Sequence, residues 1–320
     1  MKKVFITRLI PDEGIKILKE KGYTVAIYPK DQIIPRKELL QGVKGAHALI
    51  PDLTDKIDAE VFEAAGPQLK IVANYAVGVD NIDLAMAKKY GVFVSNTPGV
   101  LTNAVAEHAF ALILALARRI VESDKFTRAG NYQGWGPMLF LGTELNGKTL
   151  GIVGLGRIGF AVTERAVKGF GMKVIYSDPK QNREFDTQYG ARYVELSTLL
   201  KESDFVTLHV PLLPSTRHLI NAKNLKLMKK TAFLINTARG PVVDERALVA
   251  ALKQKQIAGA ALDVFEHEPK LSPGLTKLDN VVLTPHIASA TWETRQAMSR
   301  TVAANIIAAF SGQTPPHLVS

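Results

Sequence analysis

Short apolar runs alternate with helical repeats of apolar and polar positions along most of the 320 residues. Runs at 4–6, 25–28, 48–50, 71–73 and 92–94 have strand length. Between them, residues 13–21, 36–41, 59–65 and 84–90 repeat at helical spacing. Each strand-to-helix unit is short, and a parallel sheet with helices on both faces accommodates such units. Pro98 and Gly99 interrupt the alternation, and a long helix begins near Thr102. It is apolar on most sides, which predicts burial between layers or domains and a crossing into a second domain. From Leu150 the alternation resumes, with strands at 150–153, 174–177, 205–209, 232–236, 258–262 and 281–283. That is the six-strand count of a dinucleotide-binding sheet. A last helical stretch, 291–310, is expected to return onto the first part of the chain. The pattern predicts an α/β protein of two doubly wound parallel-sheet domains.

The apolar run at 150–153 leads directly into Gly154, Gly156 and Gly159. A helix follows, then a second run, then Asp178. Strand, glycine turn, helix, strand and acid come in the order that a dinucleotide needs. The first glycine permits the tight turn, the second lets a pyrophosphate approach the backbone, and the third lets helix and strand pack closely. An acid about 20 residues on can bond the adenosine ribose hydroxyls, and Asp178 has that spacing. About 150 residues precede the fingerprint, room for another domain.

Composition narrows the function classes. There is no cysteine, which excludes disulfides, thiolate metal sites and cysteine nucleophiles and suits a cytoplasmic location. The first apolar run is broken by Thr7, Arg8, Pro11 and Asp12, so it reads as a strand rather than a signal segment. The longest apolar stretch, 109–117, is far short of the ~20 residues of a membrane span. Net charge is +10, but the cations are scattered, mostly in pairs such as Lys88/Lys89 and Lys229/Lys230. No basic run interleaved with aromatics occurs, so a solvated basic surface is expected rather than a nucleic-acid partner. Residues 131–141, NYQGWGPMLFL, form an apolar loop that is expected to pack on a partner.

Ligands of open parallel sheets sit beyond the carboxyl ends of the strands. Three such ends carry unusual side chains: Arg239 after one, Asp263 and then Glu268 after the next, His286 after the last. Together they suit the reduction of a 2-keto acid. Arg239 can fork onto carboxylate and carbonyl oxygens. His286 can give a proton to the new alkoxide, and Glu268 close by would favour its charged form. Glu266, His267 and Glu268 could equally be one solvated turn, and they make a poor metal signature, so no metal is expected. His108, His218 and His317 read as structural.

The motifs GLGRIG (154–159), INTARG (235–240), ALDVFEHEP (261–269) and TPHIASAT (284–291) resemble those of the D-isomer-specific 2-hydroxyacid dehydrogenases. The likeness runs essentially end to end, and 135–142 and the stretch from His286 are most similar to the glyoxylate/hydroxypyruvate reductase branch. The resemblance implies a Rossmann-type nucleotide domain, 99–288, inserted into a flavodoxin-like substrate domain made of 1–98 and 289–320. It implies Arg239, Glu268 and His286 as the catalytic set. Backbone amides at Val77 and Gly78 would meet the substrate carboxylate, with Leu53 lining the pocket. Arg157 and Ile158 would contact the pyrophosphate, and Asp263 would hold the nicotinamide carboxamide. Thr237, Ala238 and Arg239 would lie on the nicotinamide side, and Val210, Pro211, Thr216, His286 and Ala288 would complete the cofactor contacts. A homodimer is implied, with Trp135 reaching the partner's active site. Asp178 favours NADH by repelling a 2′-phosphate; Lys180 and Arg183 nearby soften this and keep NADPH as second candidate. The alternatives are a sibling dehydrogenase acting on D-lactate, D-glycerate or a bulkier 2-keto acid, and a dinucleotide-sensing protein of corepressor type.

Overall fold

The computed structural model describes all 320 residues. Along the chain run β1 (Lys3–Ile6), α1 (Asp12–Glu20), β2 (Thr24–Ile27), α2 (Arg36–Gly42), β3 (Ala48–Ile50), α3 (Ala59–Ala65), β4 (Ile71–Ala73), α4 (Leu84–Lys89) and β5 (Phe93–Ser95). Next come α5 (Thr102–Ala117), α6 (Ile120–Arg128), β6 (Thr149–Val153), α7 (Arg157–Phe170), β7 (Lys173–Ser177), α8 (Arg183–Tyr189), β8 (Arg192–Tyr193), α9 (Leu196–Glu202), β9 (Phe205–Leu208) and α10 (Ala222–Leu225). The last elements are β10 (Phe233–Asn236), α11 (Glu245–Lys253), β11 (Gly259–Leu262), β12 (Val281–Leu283) and α12 (Trp292–Phe310). They divide into two compact units, residues 1–101 with 289–320, and residues 102–288.

The first unit holds a five-stranded sheet, all parallel, in the order β2-β1-β3-β4-β5. That is the flavodoxin-like order. Leu49, Ile57, Phe62 and Val72 are buried together on one face. The last helix, α12, packs along α1, and Gly14 is what lets it come so close. A Cβ there would lie 2.0 Å from the Ser299 carbonyl oxygen. The Ser299 hydroxyl accepts the Gly14 amide at 3.0 Å and donates to the Pro11 carbonyl at 2.6 Å. Thr291 caps α12 by accepting the Thr294 amide.

The second unit holds a seven-stranded parallel sheet, β12-β11-β10-β9-β6-β7-β8. Counted from β6, this is the doubly wound dinucleotide-fold order 3-2-1-4-5-6 with one further strand at the edge. Its two faces follow from alternation along each strand. Ile152, Ile235 and Ala261 face one cluster, and Val153, Leu234 and Leu262 the other. The helix α5 packs on α7 and across β10, β11 and β12; enclosure on these sides accounts for its apolar sequence.

The all-parallel α/β architecture expected from the run spacing is the one observed. The six-strand count is corrected to seven. The additional strand, β8, is only two residues long, too short to show a period. No helix is long and apolar enough to cross a membrane.

Candidate active site

The glycine turn after β6 can be tested residue by residue for room and strain. Gly154 has φ +93°, and a Cβ there would lie 2.8 Å from the His209 carbonyl oxygen and 2.8 Å from a Val210 methyl. A Cβ on Gly156 would meet nothing within 4 Å, so this face of the turn is open. A Cβ on Gly159 would lie 2.4 Å from the Gly154 carbonyl oxygen, which fixes α7 close to β6. Gly156 caps α7 with no side-chain acceptor, and no acid stands in the first turn. The helix start at Arg157 and Ile158 is therefore left to attract an anion. Asp178, just past β7, receives the Leu155 amide on Oδ2 at 2.8 Å. Its carboxylate is thereby tied to the glycine turn. These residues fit a dinucleotide: an open turn, an uncapped helix start and an acid beside them.

On the next strand ends, Val210 lies against Gly154. Pro211 and Thr216 belong to one folded loop, because the Thr216 hydroxyl donates to the Pro211 carbonyl at 2.6 Å and accepts the Leu213 amide at 2.8 Å. After β10, buried Asn236 staples the turn. Its Oδ1 accepts the Ala238 amide and its Nδ2 donates to the Arg239 carbonyl, each at 3.0 Å. The Thr237 hydroxyl is enclosed without a partner from the chain. Arg239 extends from this turn, with Nη1 donating to the Ala238 carbonyl at 2.8 Å.

Gly240 brings this turn against the next one. A Cβ there would lie 1.8 Å from the Phe265 carbonyl oxygen, so only glycine lets the Arg239 turn abut the loop after β11. Within that loop the charged residues separate. Glu266 points to His218 (2.6 Å) and to the Glu245 amide (3.1 Å). Burial works against the charge on Glu266, but these bonds hold its carboxyl below the usual range. Glu268 turns the other way, accepting the Phe265 amide on Oε1 at 2.9 Å. Its Oε2 lies 3.0 Å from His286 Nδ1.

His286 has φ +55°, a conformation rarely adopted by a side-chain-bearing residue and frequent at functional sites. Its amide is held by the carbonyls of Asp263 and Thr284 at 2.8 and 3.1 Å. Asp263 Oδ1 accepts the Thr284 hydroxyl (2.6 Å) and the Ile287 amide (2.8 Å), and Oδ2 accepts the Ala288 amide (2.8 Å). His108 approaches Oδ1 at 3.4 Å. Burial pushes against the charge on Asp263, yet these donors outweigh it and hold its carboxyl below the usual range. Asp263 is 0% exposed, and its carboxylate shapes the His286 turn. Sequence reasoning missed Asn236, Glu245 and the Glu266–His218 pair. Asn236 bonds only the turn that follows it, whereas Glu245, Glu266 and His218 meet across elements that only the fold brings together.

Leu53, Val77 and Gly78 belong to the first unit. Asn96 Nδ2 donates to the Val77 carbonyl at 2.7 Å, and buried Asn74 Nδ2 to the Gly78 carbonyl at 2.8 Å. A trans peptide opposes its C=O and N–H, so holding the Val77 oxygen directs the Gly78 N–H the other way. In the second unit Trp135 stands 83% exposed, flanked by exposed Tyr132, Met138 and Leu141.

Comparison with known proteins matches this arrangement. Residues 110–288 match the family model for the NAD binding domain of D-isomer specific 2-hydroxyacid dehydrogenases. A glyoxylate reductase of Thermococcus litoralis is 56% identical over 99% of this chain and 96% of its own. A crystal structure of a Thermus thermophilus protein superposes with a TM-score of 0.93 at 45% identity, covering 99% of this chain and 100% of that one. An NADPH-dependent glyoxylate/hydroxypyruvate reductase of Sinorhizobium meliloti, solved with NADP and malonate, has a TM-score of 0.86 at 32% identity and covers 100% and 97%. With the match spanning both units and the glycine turn, Arg239, Glu268 and His286 on the strand ends where the motifs put them, the chain belongs to the D-isomer specific 2-hydroxyacid dehydrogenase family.

Proposed function

We propose that this protein reduces small 2-keto acids, glyoxylate and hydroxypyruvate foremost, with NADH as the preferred reductant. The observation that carries the reading is the 3.0 Å contact between His286 Nδ1 and Glu268 Oε2, on the sheet edge that also carries Arg239. The family model for an NAD binding domain and the glyoxylate reductases among the relatives support it.

The bound nicotinamide supplies the hydride. The chain's residues do the rest. Arg239 presents a planar fork that suits both the carboxylate and the carbonyl oxygen of a 2-keto acid. A carboxylate only accepts, so Nδ1 of His286 carries a hydrogen toward Glu268 and Nε2 is the atom left to protonate the alkoxide. Glu268 offsets the charge of the ring while it is protonated. Asp263 fixes the strained turn and hence the direction of the ring. Arg157 and Ile158 would hold the pyrophosphate, and Val210, Pro211, Thr216, Thr237, Ala238 and Ala288 would border the cofactor. In the first unit, the Val77–Gly78 loop offers a backbone amide to a carboxylate, and Leu53 is a further substrate contact. The exposed loop around Trp135 supports a homodimer.

Asp178 supports NADH. At about 4 Å and an effective dielectric near 20, each unit charge of a 2′-phosphate would meet about 4 kcal/mol of repulsion before screening. Even a third of that is a tenfold preference. Initial rates with NADH and NADPH, across glyoxylate, hydroxypyruvate, pyruvate and a branched keto acid, test both parts. Glyoxylate and hydroxypyruvate should give the highest kcat/KM, and Asp178→Ala should lower the NADH-to-NADPH ratio about tenfold or more. A pyruvate kcat/KM far above both would overturn the substrate assignment.

A further inference from the structure

One buried charged group takes no part in this chemistry as described. Glu245 is the first residue of α11 and is 3% exposed. The helix does not need it as a cap, because Asp244 already accepts the Ala247 amide at 2.9 Å. The carboxylate of Glu245 turns instead to the loop after β11. Oε2 accepts the Glu266 amide at 2.9 Å, and Oε1 accepts the Ser272 amide at 2.6 Å. Glu266 returns the bond, accepting the Glu245 amide at 3.1 Å, and is held from outside by His218 at 2.6 Å. Two carboxylates and two amides thus form a reciprocal brace. Between its attachment points, Glu266 and Ser272, lies Glu268.

A buried carboxylate is strongly disfavoured unless its oxygens are bonded. An alanine here would leave the cap of α11 in place, so the charge serves the loop rather than the helix. We propose that Glu245 is a positioning residue of the active site, clamping both ends of the loop that holds Glu268 against His286. It touches neither substrate nor cofactor; it acts through Glu268. This rests on the reading of Glu268 and His286 as the proton-donating pair.

Glu245→Gln offers one acceptor oxygen in place of two and turns an NH2 toward an amide, so one end of the loop is released. A displacement of about 1 Å at a catalytic group costs up to about a hundredfold. In the full-length protein, kcat at saturating keto acid and cofactor is expected to fall about tenfold to a hundredfold. NADH affinity, read by quenching of protein fluorescence, should stay within about twofold. In the cofactor-free protein, the downfield Nδ1 proton resonance of His286 should disappear. His218→Ala removes only the outer partner of Glu266, at a half-exposed side chain, and should produce a smaller fall of the same kind. Should Glu245→Gln fail to fold, this variant decides in its place. A wild-type kcat and resonance, with only a lower melting temperature, would overturn the proposal and leave Glu245 a brace of the fold. Glu268→Gln, measured alongside, separates the two levels. If it lowers kcat while the Glu245 and His218 variants do not, the positioning role alone fails. If it leaves kcat and the resonance untouched, the proton-donor reading fails and the proposal with it.

Discussion

His286 is held in a left-handed conformation by its amide bonds to two carbonyls and by the donors gathered on Asp263. The ring direction is thus set by the backbone and the contact to Glu268 by side-chain geometry. Removing the ring removes the proton donor without touching Arg239. His286→Ala should lower kcat by about 10²- to 10⁴-fold with a modest change in KM. Arg239→Ala should damage kcat and KM together, because its fork binds the ground state as well as the transition state. Steady-state kinetics at saturating cofactor separates the two patterns. A second residue makes a prediction about pH. Asp55 is buried in the first unit and accepts the Asp52 amide at 3.0 Å. Burial, reinforced by the nearby Asp52 charge, pushes its carboxyl up to about 6. A carboxyl raised above its unfolded value binds its proton more tightly in the native state, so it favours folding at low pH. Its contribution should fade as pH rises from about 4 through about 6, at a total loss of about 3 kcal/mol. Asp55→Asn should keep the acceptor for the Asp52 amide and remove the loss. Urea unfolding at pH 5 and pH 8 should show the variant gaining on the parent at both values, by about 1.4 kcal/mol more at pH 8. An equal difference at both values would contradict the shift.

At the scale of elements, the candidate site is made where the turns after β10, β11 and β12 crowd together. Gly240 is the point of closest approach, since a Cβ there would lie 1.8 Å from the Phe265 carbonyl oxygen. Backbone cannot yield as a flexible side chain does, so Gly240→Ala must push the Arg239 turn away from the loop that carries Glu268. The expected outcome is a melting temperature lower by several degrees, for about 1–3 kcal/mol of overpacking. Activity at 25 °C should fall as well, because the Arg239 turn and the Glu268 loop move apart. Gly156→Ala is the contrast: its Cβ meets open space, so stability should hold while cofactor affinity drops. The elements differ in how far the sequence exposed them. The longer strands of the second sheet were legible as apolar runs, and GLGRIG identified its own turn because each glycine has a separate steric reason. The two-residue β8 left no period to read. Glu266 and Glu268 looked alike in a charged stretch. The family resemblance singled out Glu268, but the residue pattern alone did not; in the structure the two are separated by partners in other elements, His218 lying 48 residues from Glu266 and His286 18 residues from Glu268. Glu245 was invisible for the same reason: an acid at a helix start is ordinary, and its work lies in bonds to residues 21 and 27 positions on.

At the scale of the whole molecule, the least settled surface is the loop at 131–141. Tyr132, Trp135, Met138 and Leu141 are exposed there, Trp135 at 83% and Met138 at 77%. A monomer seldom leaves such a contiguous apolar patch in water. Close by, a cavity of about 610 Å³ opens at the amino-terminal edge of the second sheet, bordered by Phe126, Phe140, Leu141 and Val281. It lies at the opposite strand ends from Arg239 and His286 and carries no comparable chemistry. The proposed homodimer would cover both exposed loops at once through an isologous contact. Light scattering after gel filtration should therefore give about twice the chain mass of 34.9 kDa. Each copy would bury about 800 Å² in an interface of standard size. Introducing two charges, Met138→Asp with Leu141→Asp, should yield a monomer that stays folded by circular dichroism, since neither side chain belongs to a core cluster. Trp135→Ala distinguishes a merely adhesive loop from one that serves the partner's catalysis. If the loop serves catalysis, the dimer persists while KM for the keto acid rises. If it is adhesive alone, KM is unchanged and only the dimer weakens.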